Sequence, residues 1–187
     1  MKRGLIIIIA IVAVVLIAIL SFIGIYNGLV AQRESVDNSF RNIDTQLQRR
    51  ADLIPNLVAT VKGFAAQEKT IIDSVTSARA KLAGAQTVGE KATADGELSG
   101  ALSRLLVIVE NYPELKSDAN FRQLSDELAG TENRIAVSRK DYNDVVKTYN
   151  TKIKSFPTNL IAGLYGFTEA EYFQAAEGSD TVPTVSF

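Results

Sequence analysis

The chain contains no cysteine, no histidine and no tryptophan among its 187 residues. Without cysteine there is no disulfide framework, thiolate nucleophile or cysteine-ligated zinc site. Without histidine, the commonest metal ligand and the most frequent general base of enzymes are missing as well. These absences exclude most zinc-enzyme and hydrolase mechanisms, so we predict no catalytic residue, no metal site and no cofactor.

Helix-breaking residues and excess charge are also scarce. The chain has 12 glycines and 4 prolines, and its 20 basic residues are balanced by 21 acidic ones. A net charge of -1 creates no field that would gather nucleic acid, and we predict no nucleic-acid partner. Alanine, leucine, valine, glutamate, lysine, glutamine and arginine dominate, which is typical of long helices. We therefore predict an all-α protein.

One long apolar run dominates the N-terminal part of the sequence. It extends from Leu5 to Ile25, and no charged residue lies between Arg3 and Arg33. A helix of about 20 apolar residues crosses the hydrocarbon core of a bilayer, whereas the apolar core of a cleavable signal peptide has only about 7–15. We therefore predict a retained single-pass transmembrane helix, and the bilayer is the first expected partner.

The residues that flank this run predict how it sits in the membrane. Lys2 and Arg3 favour a cytoplasmic N-terminus, which places the following domain outside the bacterial inner (plasma) membrane. Tyr26 suits the aromatic belt at the outer interface. Gly24 and Gly28 form a GxxxG motif that permits close helix pairing, although glycine is common in membrane helices without that role.

The apolar pattern continues beyond the membrane span. Apolar residues recur at steps of three and four from Val36 to Leu82, which predicts a very long first helix. Pro55 interrupts this pattern, and a kink is favoured over a reversal because no turn residues accompany it. The glycine-containing segment 84–96 predicts the first turn of the chain.

Two further long helices and one short helix follow in the pattern. The second helix runs through Leu98 to Val109 and ends before Pro113, and the third extends from Phe121 to Phe156. A short helix is predicted near 160–165. Together these elements predict an N-terminal transmembrane helix followed by an antiparallel, roughly four-helix bundle.

The segment after the third helix is rich in aromatic residues and glycine. Gly163 and Gly166 predict a tight turn that lets Leu164, Tyr165 and Phe167 cap the core. The alternative is a loop that inserts into a partner or a membrane surface.

These elements define four regions of the chain. They are a basic N-terminus (1–4), a transmembrane helix (5–25), a helical bundle domain (26–175) and an extended C-terminal tail (176–187). Near the end of the bundle domain, the TxxE spacing of residues 168–171 is that of a capping box and predicts another helix start.

Several sequence blocks in this order resemble the LemA family of bacterial membrane proteins. The blocks are YNGLVAQRESVDNSF, QLQRRADLIPNLVATVKGFAAQEK, ENYPELKS, FRQLSDELAGTENRIAVSRKDYNDVVKTYN, FPTNLIAGLYGF and the closing VPTVSF. The resemblance implies a membrane anchor followed by about four helices, and it implies no particular reaction. The opposite membrane orientation has also been suggested for the family. Many relatives carry histidine where this chain has Gln67, so no imidazole can act at that position here.

Polar residues near Pro55 and within the third helix form two candidate sites. The cluster near Pro55 is suited to bind an anion or a partner; structurally, Arg50 and Asp52 would satisfy groups that the proline frees or pair across the bundle. The second cluster would fix register or oligomeric state. The possible interface or register residues are Gly24, Gly28, Arg49, Arg50, Asp52, Pro55, Asn56, Glu132, Arg134 and Tyr142.

The sequence therefore favours a non-enzymatic, membrane-anchored scaffold or assembly protein of the bacterial cell envelope, forming a homo-oligomer through its long helices and contacting another envelope protein. One alternative is an accessory or regulatory subunit of a membrane protease or signalling complex. The other is an unrecognised hydrolase that depends on carboxylates, for which a pocket with at least two ionisable groups within hydrogen-bond reach is required.

Overall fold

The computed structural model describes residues 2–174, which form six helices and no strand. The helices are α1 (Lys2–Phe64), α2 (Lys69–Gly84), α3 (Val88–Val109), α4 (Pro113–Ser117), α5 (Ala119–Lys154) and α6 (Thr158–Tyr165). The predicted all-α class is confirmed. The predicted extended tail, 176–187, lies outside the described residues.

The chain divides into two compact units, and α1 and α5 each contribute to both. The anchor unit comprises the chain up to Asn38 together with Asp144–Ala170. The bundle unit comprises Ser39–Asn143 together with the segment that begins at Glu171. Each unit has its own set of buried apolar side chains, for example Leu29 and Ile161 in the anchor unit.

The first helix has 63 residues and contains the predicted membrane anchor. Its most apolar stretch has a mean hydropathy of 3.5, and none of that stretch is buried within the chain. Side chains from Leu5 to Leu20 are more than half exposed at most positions, although they are almost all aliphatic. The helix is therefore long and apolar enough to cross a membrane, as predicted.

The predicted continuation of the first helix to Leu82 is wrong, because α1 ends at Phe64. The Ala65 amide closes the last turn by donating to the Val61 carbonyl (2.8 Å), and the Glu68 amide then donates to the Ala65 carbonyl (3.1 Å). Ala65 is fully buried, so the short turn keeps the spacing of three and four that a continuous helix would show. Hydrophobic spacing alone cannot detect such a reversal.

Three contacts order the helices of the bundle unit. Arg79 of α2 reaches back to Ala51 of α1, so α2 runs antiparallel to α1 after the short turn. Lys91 and Asp95 of α3 pair with Asp44 and Arg50 of α1 respectively. Because both α3 positions and both α1 positions increase together, α3 runs parallel to α1.

The fourth long element, α5, completes the alternating order. Its Glu132 contacts Arg50, and ten residues later the Tyr142 ring lies 5.9 Å from the Phe40 ring. The α1 number falls while the α5 number rises, so α5 runs antiparallel to α1. The bundle unit is therefore an up-down-up-down bundle, as predicted.

The predicted turn at 84–96 is much shorter in the structure. Only 85–87 lie between α2 and α3, because Thr87 starts α3 with a capping box. The Glu90 amide donates to Thr87 Oγ1 (3.2 Å), and the Thr87 amide donates to Glu90 Oε2 (3.0 Å). This reciprocal cap stabilises the start of α3, which therefore includes Gly89 and Gly96 despite their weak helix propensity.

The chain after α5 differs from the prediction in three ways. Gly163 lies within α6, and only Gly166 ends it, with a φ of 72° that favours glycine. Leu164 and Tyr165 are exposed rather than capping a core, and Phe167 is half-buried. Residues 167–174 have no regular secondary structure, so the predicted capping box at 168–171 starts no helix.

A Tyr-Asn pair on α5 holds this irregular segment in each unit. In the anchor unit, Asn150 exchanges two hydrogen bonds with the Ala170 backbone (2.8 and 2.9 Å), and the Tyr149 hydroxyl donates to the Thr168 carbonyl (3.0 Å). The side-chain amide of Asn150 acts as a backbone-like partner, since it both donates and accepts.

The second Tyr-Asn pair lies one heptad earlier, in the bundle unit. Asn143 exchanges two hydrogen bonds with the Phe173 backbone (2.9 and 3.1 Å), and the Tyr142 hydroxyl donates to the Glu171 carbonyl (2.7 Å). The repeat of YN at a spacing of seven places both pairs on one stripe of α5.

Candidate functional site

The densest group of buried charges in the described chain lies inside the bundle unit. Arg50 Nη1 is 2.7 Å from Asp95 Oδ1 and 2.6 Å from Glu132 Oε2. Arg139 completes the group, with Nη2 3.4 Å from Glu132 Oε1 and Nη1 3.9 Å from Asp95 Oδ2. Two arginines and two carboxylates from α1, α3 and α5 thus form a cluster with no net charge, called here the arginine cluster.

Burial is uneven across the arginine cluster. The side chains of Arg50 and Asp95 are only 5% and 2% exposed, whereas those of Arg139 and Glu132 are 23% and 41% exposed. The Arg139 guanidinium also lies 5.7 Å from the centre of the Phe173 ring, within the range of a cation–π contact. The inner pair is therefore shielded from water, and the outer pair links it to the surface.

Asp95 is the cluster member whose proton affinity changes most clearly. Burial raises the pKa of Asp95 above its ordinary value of 3.8, and the charges of Arg50 and Arg139 oppose that increase. Perturbed carboxylates often mark functional sites, but buried ion-pair networks perturb them in the same way. Here every charge has an opposite partner, which is the pattern of a structural network.

A pocket of about 350 Å³ opens beside the arginine cluster. Arg50 and Glu132 form part of its wall, and the apolar remainder consists of Leu57, Leu102, Leu105, Leu106, Leu128 and Ala129. Arg50 Nε and Ser125 Oγ are buried without a hydrogen-bond partner among the described residues. Asp95 does not line this pocket, so its carboxyl group would not contact a ligand bound there.

Arg50 pairs across the bundle, as predicted. The backbone group that Pro55 leaves without a donor is satisfied by Arg79, and not by Arg50 or Asp52. Proline has no amide hydrogen, so the Ala51 carbonyl one turn earlier loses its usual helical donor. Arg79 Nε of α2 donates to this carbonyl instead, at 2.8 Å. The exposed Asp52 accepts a hydrogen bond from Gln48 within the same helix (2.8 Å).

The other predicted residues are spread over the two units. Pro55 and Asn56 are exposed on α1, and exposed Arg49 and Arg134 line one shallow surface groove of the bundle unit. Tyr142 is buried in the contact with Phe40 already described. The structure therefore places Arg49 and Arg134 in one groove and joins Arg50 to Glu132, but it does not gather all the polar candidates at one place.

The two glycines of the GxxxG motif differ within the anchor unit. A side chain at Gly24 would meet nothing within 4 Å, whereas a Cβ at Gly28 would lie 3.1 Å from Lys152 Nζ. Gly28 therefore faces α5 of the same chain. Of the two glycines of the motif, Gly24 is the one with an open surface.

Sequence reasoning missed Asp95, Arg79 and, as a site residue, Arg139. Asp95 falls in the segment 84–96, for which the sequence predicts a turn and therefore no helical face. Thr87 and Glu90 have capping-box spacing, and this signal would have placed Asp95 on a helix. Arg79 has no comparable signal, because its partner is a backbone carbonyl 28 residues earlier.

Metal binding has no support from the carboxylates of the described chain. Among residues 2–174, no three Asp or Glu side chains gather as they would around a metal ion. The arginine cluster itself brings two carboxylates together, but each faces a guanidinium.

The fold and the site define a membrane-associated helical protein whose buried charges are paired internally. The family model described as "LemA family" matches residues 39–187. The chain therefore belongs to the LemA family, as its sequence blocks predicted.

Relatives of the chain carry two kinds of name. Magnetosome protein MamQ 2 of Paramagnetospirillum magneticum is 33% identical over 183 residues, and the match covers 83% of this chain and 67% of that protein. Magnetosome protein MamQ of Magnetospirillum gryphiswaldense is 30% identical over 182 residues, with the same coverage. Protein LemA of Metamycoplasma hominis is 25% identical over 160 residues, covering 83% of this chain and 72% of that protein.

Proposed function

We propose that this chain is a non-enzymatic, membrane-anchored scaffold or assembly protein of the bacterial cell envelope. The observation that carries this proposal is the arginine cluster, in which the buried ionisable groups of the bundle unit pair with one another. Acid–base catalysis requires a group that can exchange its proton with a substrate. The cluster instead uses its charges to join α1, α3 and α5.

A carboxylate-dependent hydrolase is less well supported by the same geometry. The pocket beside the cluster does hold two ionisable groups within hydrogen-bond reach, Arg50 and Glu132. Arginine does not lose its proton in proteins, so it cannot act as the base. Glu132 contacts both arginines of the cluster, which favours its role as their counter-ion.

The names of the relatives are compatible with a non-enzymatic role. They refer to the magnetosome or to the family itself, and none of them names a reaction. The proposed role of this chain is to organise other proteins at a membrane. The proposed location is the inner membrane, with the N-terminus inside and the rest of the chain outside, because Lys2 and Arg3 precede the span.

Orientation is testable because the chain has no cysteine. A Thr148→Cys variant places one thiol on an exposed position of α5. A membrane-impermeant maleimide should label it in intact cells if that segment lies outside. Labelling only after the cells are broken would reverse the proposed orientation.

Self-association is the first property of a scaffold to test. The apolar seam of α1, including Ile43, Leu47 and Ile54, is buried within the chain and is not available to a second copy. Gly24 is the glycine of the GxxxG motif whose surface stays open on the span. We therefore propose that copies pair through the membrane span, where small residues allow close approach.

Native mass spectrometry of the intact protein in mild detergent measures this directly. We expect a defined homo-oligomer that Gly24→Leu weakens. The matched variant Gly28→Ala should keep the oligomer, since its methyl group meets only the flexible end of Lys152. A clean monomer for the unmodified chain would exclude self-assembly as its function.

An accessory subunit of a membrane enzyme complex is the second candidate. The bundle unit exposes the apolar side chains of Val107 and Val137, at 71% and 60%, and such residues can contribute to a partner interface. Mild crosslinking followed by affinity purification should then recover one stable partner. Recovery of this chain alone, under conditions that capture known neighbours in the membrane, would contradict that function.

A further inference from the structure

The short helix α6 is apolar on opposite faces. Thr158, Ile161 and Ala162 form its buried face within the anchor unit. Leu160 and Leu164 lie on the opposite face, one turn apart, and are 65% and 73% exposed. An apolar helix face is normally covered, by protein or by lipid.

The exposed apolar surface extends beyond α6 itself. Phe156 lies two residues before the helix, in the turn that joins α5 to α6, and its side chain is 81% exposed. No charged residue occurs between Lys154 and Glu169. A contiguous apolar patch without charges indicates a surface that something else covers.

Ring contacts place α6 beside the end of the membrane span. The Tyr165 ring lies 5.8 Å from the Phe22 ring and 4.9 Å from the Tyr26 ring. The Phe167 ring lies 5.9 Å from Tyr26. Phe22 belongs to the apolar run of α1 and Tyr26 directly follows it, which is where aromatic residues meet the membrane interface. The C-terminal end of α6 is therefore at the level where α1 leaves the hydrocarbon.

Charged residues flank this apolar surface in the way that interfacial segments require. Lys152 lies against Gly28, one turn of α1 beyond Gly24, and the Lys154 ammonium pairs with Glu169 at 2.7 Å. Lysine side chains near a membrane surface keep their charge in water while their stems cover apolar groups. The lysines therefore mark the water side of the same boundary.

We propose that α6 lies in the interface of the bilayer that α1 spans, with Phe156, Leu160 and Leu164 in contact with acyl chains. Interfacial helices bury their apolar face about 5–10 Å into the boundary between headgroups and acyl chains. The anchor unit thus contacts the membrane at two places, the span and α6. This inference rests on the membrane anchor alone and does not depend on the scaffold function.

Site-directed spin labelling of the full chain in liposomes tests the depth of α6. Single cysteines at Leu160, Leu164 and Thr148 each carry a nitroxide, which the absence of native cysteine makes unambiguous. Thr148 is the control, because it is exposed on α5 within the same unit. We expect labels at Leu160 and Leu164 to collide with oxygen and to be protected from a water-soluble nickel chelate. The label at Thr148 should show the reverse.

Two results would overturn the proposal. In the first, the nickel chelate reaches Leu164 as readily as it reaches Thr148, so the helix faces water. In the second, labels at Leu164 broaden one another until unlabelled protein dilutes them, so a second copy of the chain covers α6. If a leucine variant fails to fold, Gly163→Cys replaces it, since a Cβ there meets nothing within 4 Å.

Discussion

The bundle unit and the anchor unit differ in which residues depart from the usual pattern of apolar side chains inside and charged side chains outside. The bundle unit buries charges, and it pairs them within the arginine cluster. The anchor unit exposes apolar side chains, on the span and on α6, and the described chain offers nothing that covers them. A buried charge can be compensated by a single opposite charge, whereas an exposed apolar surface needs an extended cover. The buried charges are compensated within the chain, whereas the exposed apolar surface indicates contact with the membrane.

We expect the largest loss of stability when the charge compensation of the arginine cluster is removed. Asp95→Ala leaves Arg50 without its most buried counter-ion, and removing one partner of a buried pair typically costs about 3–5 kcal/mol. Urea unfolding of the full chain in mild detergent, followed by circular dichroism, measures this loss.

Two controls separate charge from packing at this position. The double variant Arg50→Met, Asp95→Leu should regain most of the stability, because Arg139 and Glu132 then remain as a balanced pair. Glu97→Ala, which breaks the exposed pair with Lys81, should cost no more than about 1 kcal/mol. An equal loss in all three variants would show that compensation within the cluster is not the cause.

The next largest effect concerns the carbonyl that Pro55 leaves without a helical donor. Arg79→Met removes the donor to the Ala51 carbonyl, and the loss of a hydrogen bond to a charged group costs about 1.5–3 kcal/mol. In a Pro55→Ala background, the new amide at position 55 can bond to that carbonyl, so Arg79→Met should cost less. Urea unfolding of the four proteins of this double-mutant cycle gives the coupling energy. Additive costs would mean that Arg79 acts through some other contact.

A smaller effect tests whether the two units share one structural device. Asn150→Leu in the anchor unit and Asn143→Leu in the bundle unit each remove two hydrogen bonds to the backbone of the irregular segment. We expect similar costs of about 1–3 kcal/mol, since each leaves a backbone pair without partners. Limited proteolysis should cut the segment after Gly166 faster in both variants. Faster cleavage in only one variant would show that the repeated pairs are not equivalent.

We expect the smallest effect in the pH dependence of stability, to which Glu90 and Asp95 of the bundle unit contribute with opposite signs. Hydrogen bonds from the Gln86 and Thr87 backbone hold the pKa of Glu90 below its ordinary value of 4.5. Its stabilisation is therefore present above that value and is lost as the pH falls through the lower, folded pKa. Burial raises the pKa of Asp95 above 3.8, so its contribution is most favourable below that value and is lost as the pH rises through the folded pKa.

The variants Glu90→Gln and Asp95→Asn isolate these two contributions. The stability difference between the unmodified chain and Glu90→Gln should shrink as the pH falls below 4.5. The difference between the unmodified chain and Asp95→Asn should move in the opposite sense, in favour of the unmodified chain, as the pH falls towards 3.8. Urea titrations across this range give both curves, and slopes of the same sign would contradict the assigned environment of Asp95.

Sequence reasoning succeeded where one stretch of residues decides the structure by itself. The apolar run from Leu5 to Ile25 is sufficient to predict a membrane-spanning helix, and the long third helix was placed within two residues at each end. It failed where a short turn preserved the apolar spacing, at Ala65, and where a cap outweighed glycine, at Thr87.

The candidate site was only partly accessible for the same reason. Arg50 is a candidate from sequence because it lies near Pro55, and Glu132 because it interrupts the apolar stripe of the third helix. Asp95 and Arg79 become meaningful only when α3 and α2 lie beside α1, since their partners are 45 and 28 residues away in the chain.

The sequence by itself determined the all-α class, the membrane anchor and the family, because composition, helical period and motif order are properties of the chain as written. The tertiary structure alone decided which polar residues meet, that the seam of α1 is closed within one chain, and that α6 presents an apolar face outward. Contacts between distant segments depend on how the helices turn and pack. The spacing of apolar residues along one helix does not indicate which of its faces a later helix will cover.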